Sequence, residues 1–573
     1  MTRQLPGVYV KFQDYSTLPE GTNNLAVGYV LQSKRGPINQ AELVTSPTDF
    51  LSKFTFSGSP TIKDDRTFWS ILQVLKYTNQ VYVVRAAKNA LYGGIEYTSI
   101  GSTPFEEGKA DLDAYETNTG FSETGLLVIT GVDAGAYNNE IGIGITSYAD
   151  DFGKAILKDY FEDEAAMTAA EPFLITVMDT NTDEILEEFL VSRLENAKTF
   201  DGAPLYVETV TAGSGYIKVF NNSAVTGSVL STTKQVSVRQ RNEETGLVER
   251  VNKTVLDYQA LGGGTDGDEL TVEDLVGALD AFSDKTIPVS LLGNGSGTLY
   301  EHPTYQSALI ALAENRKDCM AFLNSREVDE KATFNSKKAS NIITYKKGAG
   351  TEGDTLPSGN TSYLACMYAP HINYSDVFNS RQVKLGADST AIAGWLNVIL
   401  NTGYPYAFAG PQDGLVNGVS TTWKIGDMSG EATNLNDASI NYIAYDAKVG
   451  RYYMQCQNTL QIANSSLRNI GAVLNVLDIK ETFMTFLKEY LQKPITPRLR
   501  EEIWDKCNTY LKDQILGTDR CVNYSFVDAT TDYDLSNNTL RYVLAIALTP
   551  YAQIIRLDMN IVNANYDFSI SQG

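Results

Sequence analysis

The sequence predicts a multidomain α+β chain: an α/β core, an inserted β-rich outer domain, and a C-terminal domain of two helices and an antiparallel sheet. Three observations carry this. The length of 573 residues exceeds one ordinary core and suits about three or four domains. The apolar repeat changes from helical to strand spacing near Gly517, which marks helices followed by strands. Between Gly101 and Val255 the texture turns to acidic loops and short strands, as an insertion would.

In chain order, Pro6-Gly7 turns into the alternating strand Val8, Val10, Phe12, and Tyr15 to Asn24 is a polar tether. Leu25 to Leu31 is an apolar strand, Ser33-Lys34-Arg35-Gly36-Pro37 a turn, and Asp49-Phe50-Leu51 with Phe54 a short helix. Phe68 to Lys76 has helical spacing and Val81 to Ala86 reads as a buried strand, which completes a small α/β unit. Gly131 to Glu140 is read as the turn of a hairpin whose next strand holds Ile141, Ile143 and Ile145. Asp133, Asn138, Asn139 and Glu140 lack the spacing of a calcium loop and are read as turn residues.

Ile287 to Leu292, the helix Tyr305 to Glu314 and the strand Cys319 to Leu323 form a βαβ pattern. The intervening Gly293-Asn294-Gly295-Ser296-Gly297 does not fit a dinucleotide fingerprint and is read as a loop. Gly262-Gly263-Gly264 lacks the lysine that a phosphate loop requires. The uncharged stretch Ser389 to Gln412 is broken by Asn397, Asn401, Gly403, Pro405 and Pro411, so it suits a buried segment better than a membrane span.

Near the end, Leu467, Ile470, Val473, Leu474 and Leu477 begin a helix that stops before Pro494. A second opens on Thr496-Pro497, a capping residue followed by a proline whose missing N–H costs nothing there, and closes at Gly517. Its buried stripe is Leu499, Ile503, Trp504, Cys507, Leu511 and Ile515. Val522, Tyr524 and Phe526 alternate, as do Tyr542, Leu544, Ile546 and Leu548. Ile555, Leu557, Met559 and Ile561 make a third strand, and Tyr566, Phe568 and Ile570 keep the same period to the terminus. A terminal strand needs a partner edge, and an edge on another subunit makes this strand addition.

With 46 basic and 69 acidic residues the formal charge is −23, which disfavours nucleic acid as a partner. The five cysteines show no CxxC spacing and read as reduced core residues. The two histidines, His302 and His371, have no carboxylate or cysteine at ligand spacing in sequence, so both are expected to be structural, with no metal and no catalytic residue. The start, Met1 to Phe12, lacks a secretion signal, which places the chain in a cytoplasm on synthesis.

One resemblance joins these pieces. Pro6-Gly7-Val8-Tyr9-Val10, Val27-Gly28, Arg35-Gly36-Pro37, Val44-Thr45-Ser46, Asp49-Phe50 and Val83-Val84-Arg85 resemble, in order and spacing, the contractile tail sheath protein family, in its long contractile-tailed bacteriophage branch. That family also includes the sheaths of R-type pyocins and type VI secretion machines. Gly131 to Glu140 resembles the family's Pro-Gly-x-Trp-Gly-Asn turn, from which Ala134, Tyr137 and Asn138 depart. Gln457-Asn458-Thr459-Leu460 resembles Gly-x-Arg-Thr-Leu without its arginine.

The resemblance implies an α/β sheath core and no cofactor. It also implies a subunit that stacks as hexameric rings around a tail tube protein, bounded by baseplate and tail terminator proteins. Contraction from a metastable extended state would drive the tube through a cell envelope. The expected location is the virion tail, after assembly in the host cytoplasm and without membrane insertion. The arms, Val8, Val10 and Phe12 with Tyr566, Phe568 and Ile570, would exchange between subunits, and Ile555, Leu557, Met559 and Ile561 would belong to the receiving sheet. Expected domains are 1–24 and 563–573 as arms, 25–100 with 259–400 as a middle α/β domain, 101–258 as the insertion and 401–562 as the inner core. Arg498, Arg500, Lys506 and Lys512, on the second helix, are the expected tube-facing residues. The competing readings are the sheath of a secretion or pyocin-like injection machine, and an acidic β-rich adhesin or hydrolase.

Overall fold

The computed structural model describes residues 25–56, 65–199, 201–241, 248–351, 353–357, 360–376 and 380–553. Residues up to Ala463 and those from Asn464 form two separate compact units.

The first unit begins with β1 (Val27–Leu31), β2 (Ala41–Val44) and β3 (Val81–Arg85). β1 is buried along its whole length because it lies parallel between β3 and a later strand, which is why it reads as a continuous apolar run. Ser46 caps the Pro47–Phe54 helix by accepting from the Asp49 N–H. Thr67–Val74 forms the helix between β2 and β3.

The chain then leaves the core for the β-rich module, which begins a few residues earlier than the sequence suggests. β4 (Gly94–Thr98), β5 (Ser102–Pro104), β6 (Gly125–Gly131), β7 (Ile141–Ser147), β8 (Pro172–Asp179), β9 (Glu184–Ser192), β10 (Ile217–Asn221), β11 (Thr233–Arg241), β12 (Val248–Leu256) and β13 (Gln259–Ala260) follow. They make two four-stranded sheets, β10-β6-β4-β5 and β13-β7-β8-β9, and a separate ribbon, β11-β12. The expected hairpin at Gly131 to Glu140 is corrected here: β6 and β7 flank the turn but belong to different sheets. The two sheets share a core of Ile95, Leu127, Ile129, Ile143, Ile175 and Val191 among others, so the turn carries the chain across a sandwich instead of back along one sheet.

Back in the core, β14 (Leu291–Gly293), β15 (Met320–Asn324) and β16 (Ala365–Ala369) add in parallel to β1. The first of these is shorter than the expected Ile287 to Leu292 strand. Gly293 is required by packing: a Cβ there would lie 2.0 Å from the Tyr29 ring. The Pro303–Arg316 helix connects β14 to β15, as the βαβ pattern predicts. β17 (Ile372–Asp376), β18 (Arg381–Leu385) and the short β20 (Ser420–Thr421) form a small antiparallel sheet. Asp388–Asn401, a helix buried over most of its length, packs on Thr67–Val74.

Residues 401–463, assigned by the sequence to the C-terminal core, instead complete the large sheet. They supply β19 (Leu415–Val416), β21 (Ile425–Gly426), β22 (Asn441–Asp446) and β23 (Arg451–Met454) to it, while β20 joins the small sheet. The ten-stranded sheet runs β19-β23-β22-β16-β15-β14-β1-β3-β2, with β21 beside β22. Parallel pairing from β3 to β22 fixes this placement, since β22 finds its partner in β16.

The second unit holds the Ile470–Lys488 and Pro497–Tyr510 helices and a two-stranded sheet of β24 (Cys521–Asp528) and β25 (Tyr542–Leu548). Thr496 accepts from the Leu499 N–H and Pro497 takes the first helical turn, as expected. After Tyr510 the helix widens to a π-helix over Leu511–Leu516. Ile503, Cys507, Leu511 and Ile515 recur every four residues, a period that drifts around an α-helix. The wider turn keeps Leu511 and Ile515 on the buried face.

Candidate functional site

The second unit is where the sequence places assembly, and its sheet is held on the helices by one continuous set of contacts. Phe526 stacks on Tyr542 with ring centroids 5.5 Å apart and meets Phe483 edge-on at 5.8 Å. Trp504 Nε1 donates to the Phe526 carbonyl at 3.1 Å, and the Tyr542 hydroxyl donates to the Arg500 carbonyl at 3.1 Å. The Arg500 guanidinium pairs with Asp528 at 2.8 Å. Burial disfavours the Asp528 carboxylate, but bonds from Thr530 and Arg500 outweigh it and hold its pKa below the usual value. A bulge between Cys521 and Asn523 turns Cys521 to the core and leaves Val522 exposed, where alternation alone places Val522 inward.

The opposite face of this sheet is bare. Val522, Val527 and Val543 are 62%, 51% and 45% exposed, and Ala545 and Ala547 lie exposed between them. Among the described residues, β24 and β25 pair only with each other, so each keeps an outer edge of free backbone groups.

The candidate residues fall as follows. Val8, Val10, Phe12, Ile555, Leu557, Met559, Ile561, Tyr566, Phe568 and Ile570 lie outside the described residues. Of the four expected tube-facing cations, Arg498 and Lys512 are exposed. Arg500 is engaged by Asp528, and Lys506 pairs with Glu489 at 2.7 Å while lying over the Phe486 ring.

In the first unit the carboxyl ends of the parallel strands converge on a buried polar centre that the sequence did not reveal. Asp388 accepts from Asn324 Nδ2 at 2.8 Å, the Gly295 N–H at 3.1 Å and the Tyr29 hydroxyl at 3.3 Å. Asp65 accepts from the Gln32 and Thr67 N–H groups and the Tyr300 hydroxyl at 2.6 to 2.8 Å. Burial pushes both carboxyls up to about 6. The Gly293 to Gly297 loop is thus a buried bracket, with Ser296 tied to Ser70 and to the Gly386 N–H.

At His371 the structure supplies partners that the sequence did not reveal. Its two ring nitrogens lie 2.9 Å from Glu301 and 2.8 Å from Glu330, carboxylates 70 and 41 residues away. Burial opposes its charge, but the two carboxylates prevail and push its pKa up to about 10. His302 caps the Pro303–Arg316 helix by accepting from the Thr304 N–H. With both His371 nitrogens occupied by carboxylates, neither is available as a base toward a substrate. Asn138 Nδ2 donates within the turn to the Asp133 and Gly135 carbonyls, while Asp133 accepts from the distant Gly36 N–H and Asn139 Nδ2 donates to the Gly264 carbonyl.

The module is latched to the core through the Arg35-Gly36-Pro37 turn. Arg35 donates to the Ser52 and Gly215 carbonyls and lies 4.4 Å over the Tyr216 ring. Arg85, buried beneath it, donates to the carbonyls of Ser33, Gly36 and Ala134. Arg35-Gly36 and Arg85 belong to two of the motifs that carried the family resemblance, and the junction brings these two together.

No family model matches the sequence, and no curated protein matches it. Solved structures do. A sheath tail protein from Listeria innocua is similar over 92% of this chain and 95% of its own, at 10% identity and a TM-score of 0.53. One from Desulfitobacterium hafniense is similar over 95% of this chain and all of its own, at 9% identity and a TM-score of 0.48. The helical sheath of the anti-feeding prophage in its contracted state is similar over 52% of this chain and 78% of its own, with 14% identity and a TM-score of 0.40. Among the described residues no helix is long and apolar enough to cross a membrane. The match to the Listeria protein spans both compact units and the inserted module, so the chain has the α+β fold of a contractile-tail sheath protein, the family its ordered motifs resemble.

Proposed function

We propose that the chain is a structural, non-enzymatic subunit of a contractile tail sheath. It stacks as hexameric rings around a tail tube protein between baseplate and terminator proteins, and contracts from a metastable extended state to drive the tube through a cell envelope. The particle is a virion tail assembled in the host cytoplasm. The observation that carries this reading is the fold likeness over 92% of the chain. The open-edged β24–β25 sheet adds to it, since a bare apolar face and two free edges suit a sheet completed by other strands.

In this reading Val8, Val10 and Phe12 of one subunit, and Tyr566, Phe568 and Ile570 of another, extend a sheet that includes Ile555, Leu557, Met559 and Ile561. Each buried arm side chain is worth about 1.5 to 3 kcal/mol, against about 1 to 2 kcal/mol for ordering each residue. One arm is therefore marginal and a lattice of arms is not. Arg498, Arg500, Lys506 and Lys512 face the tube in this reading, Arg500 and Lys506 through the part of each side chain that stays exposed beside Asp528 and Glu489. In this reading 1–24 and 563–573 are arms, and 101–258, preceded by the strand Gly94–Thr98, is the outer insertion.

The test is negative-stain microscopy of the overexpressed full chain, with and without residues 563–573. The full chain should form long hollow cylinders and the truncated chain should not. A full chain that stays monomeric at high concentration refutes the proposal.

A further inference from the structure

The β11–β12 ribbon stands apart in charge and in support. Its strands carry Lys234, Arg239, Arg241, Arg250 and Lys253 against Glu249, in a chain of net charge −23. Glu243 and Glu244 fall in the sequence between the strands. The register sets Arg239 directly opposite Arg250 on one face, with Ser237 opposite Asn252 next along it. Both arginines are exposed, and among the described residues neither forms an ion pair. Like charges directly opposite on a sheet work against pairing.

On the same face nearer the base, Gln235 Nε2 donates to Thr254 Oγ1 at 2.7 Å, so the repulsive pair stands alone only in the outer half. Nine residue pairs span about 30 Å, and among the described residues neither strand pairs with another. The ribbon is anchored at its base, where the Thr232 N–H donates to the Ile145 carbonyl and the Asp257 N–H to the Thr232 carbonyl. Lys234 is taken by Asp257 at that same end. An isolated two-stranded hairpin is marginal in water. A repulsive pair at its outer half is relieved when an anionic surface covers it.

We propose that the Arg239 and Arg250 face docks on an acidic surface of a second copy of this chain, formed by Asp159, Glu162, Asp163 and Glu164. These four carboxylates are exposed within six residues of one another in the chain, next to Lys158. Tyr160, half exposed in the same corner, offers a ring on which a guanidinium can lie. Charge complementarity selects a second copy as occupant: in a chain of net charge −23 the exposed arginine face meets acidic surface on another copy. The inference rests on the self-assembly proposed above and adds a lateral contact made by the inserted module.

The test is sedimentation velocity of the full chain across a concentration series at 50 and 500 mM NaCl. Arg239→Glu with Arg250→Glu should raise the concentration for half-association at low salt by about fivefold. The gap should close at high salt, where charges are screened within about 3 to 5 Å. Adding Glu162→Arg and Glu164→Arg should restore association. The milder Arg239→Gln with Arg250→Gln should fall between, and circular dichroism reports whether each variant is folded. Lys285→Glu with Lys448→Glu, two exposed cations elsewhere, should change association less. Unchanged association, an effect no larger than that control, or a loss that the charge swap does not restore overturns the proposal. Self-association without hollow cylinders would refute the sheath reading and still test the docking.

Discussion

The buried Glu301–His371–Glu330 arrangement makes the strongest quantitative demand on the molecule. His371 titrates near 10 in the folded chain against 6.5 when free. The native state therefore keeps a proton that the unfolded chain releases. The stabilisation is fully present below about pH 6.5 and is lost as pH rises through 10. At about 1.4 kcal/mol per pKa unit, the shift corresponds to roughly 5 kcal/mol. Replacing His371 with Gln removes the cation and leaves two carboxylates buried together, so a loss of about 3 to 5 kcal/mol is expected at pH 7. Arg66, 3.9 Å from Glu301 and 2.9 Å from Glu327, is the nearest remaining cation and offsets part of that loss. The assay is hydrogen exchange of the peptides covering β16 and β17, expressed relative to intrinsic exchange at each pH. Wild-type protection should fall between pH 8 and 10.5. His371→Gln should be poorly protected at pH 7 and flat over the same range. Equal protection of the two proteins at pH 7, or a wild type flat to pH 10.5, would refute the reasoning.

Two further outcomes follow from local geometry. Thr496→Ala removes the side-chain acceptor of the Leu499 N–H and should cost the second unit about 1 kcal/mol; Trp504 fluorescence during urea unfolding reads it, and an unchanged midpoint contradicts the cap. Gly293→Ala sets a methyl 2.0 Å from the Tyr29 ring and should cost about 1 to 3 kcal/mol; a melting temperature equal to wild type would show that the ring moves freely.

How much was legible follows from the range of the interaction involved. The Thr496-Pro497 cap, the apolar stripe of the second helix and the alternation in β25 are set by residues within a turn or two, and each was readable, whereas the π widening over Leu511–Leu516 was not. The βαβ around Pro303–Arg316 was readable because parallel strands buried on both faces are apolar throughout. Strand partners were not. The turn at Gly131 to Glu140 is visible, but its local chemistry is compatible with either a return along one sheet or a crossing to another. The same ignorance of partners placed residues 401–463 in the wrong unit, and one bulge moved Val522 to the surface.

By itself the sequence determined the local elements, the helix ends, the acidic character and an ordered set of motifs sufficient for a family resemblance. Only the tertiary structure decided that β22 pairs with β16, that Arg35 and Arg85 bind the module to the core, and that His371 meets Glu301 and Glu330. The physical reason is distance along the chain. Caps and periodicities are enforced by neighbours a few residues away, whereas a strand edge or a buried cation is satisfied by groups that a linear pattern does not bring together until the sheet has closed around them.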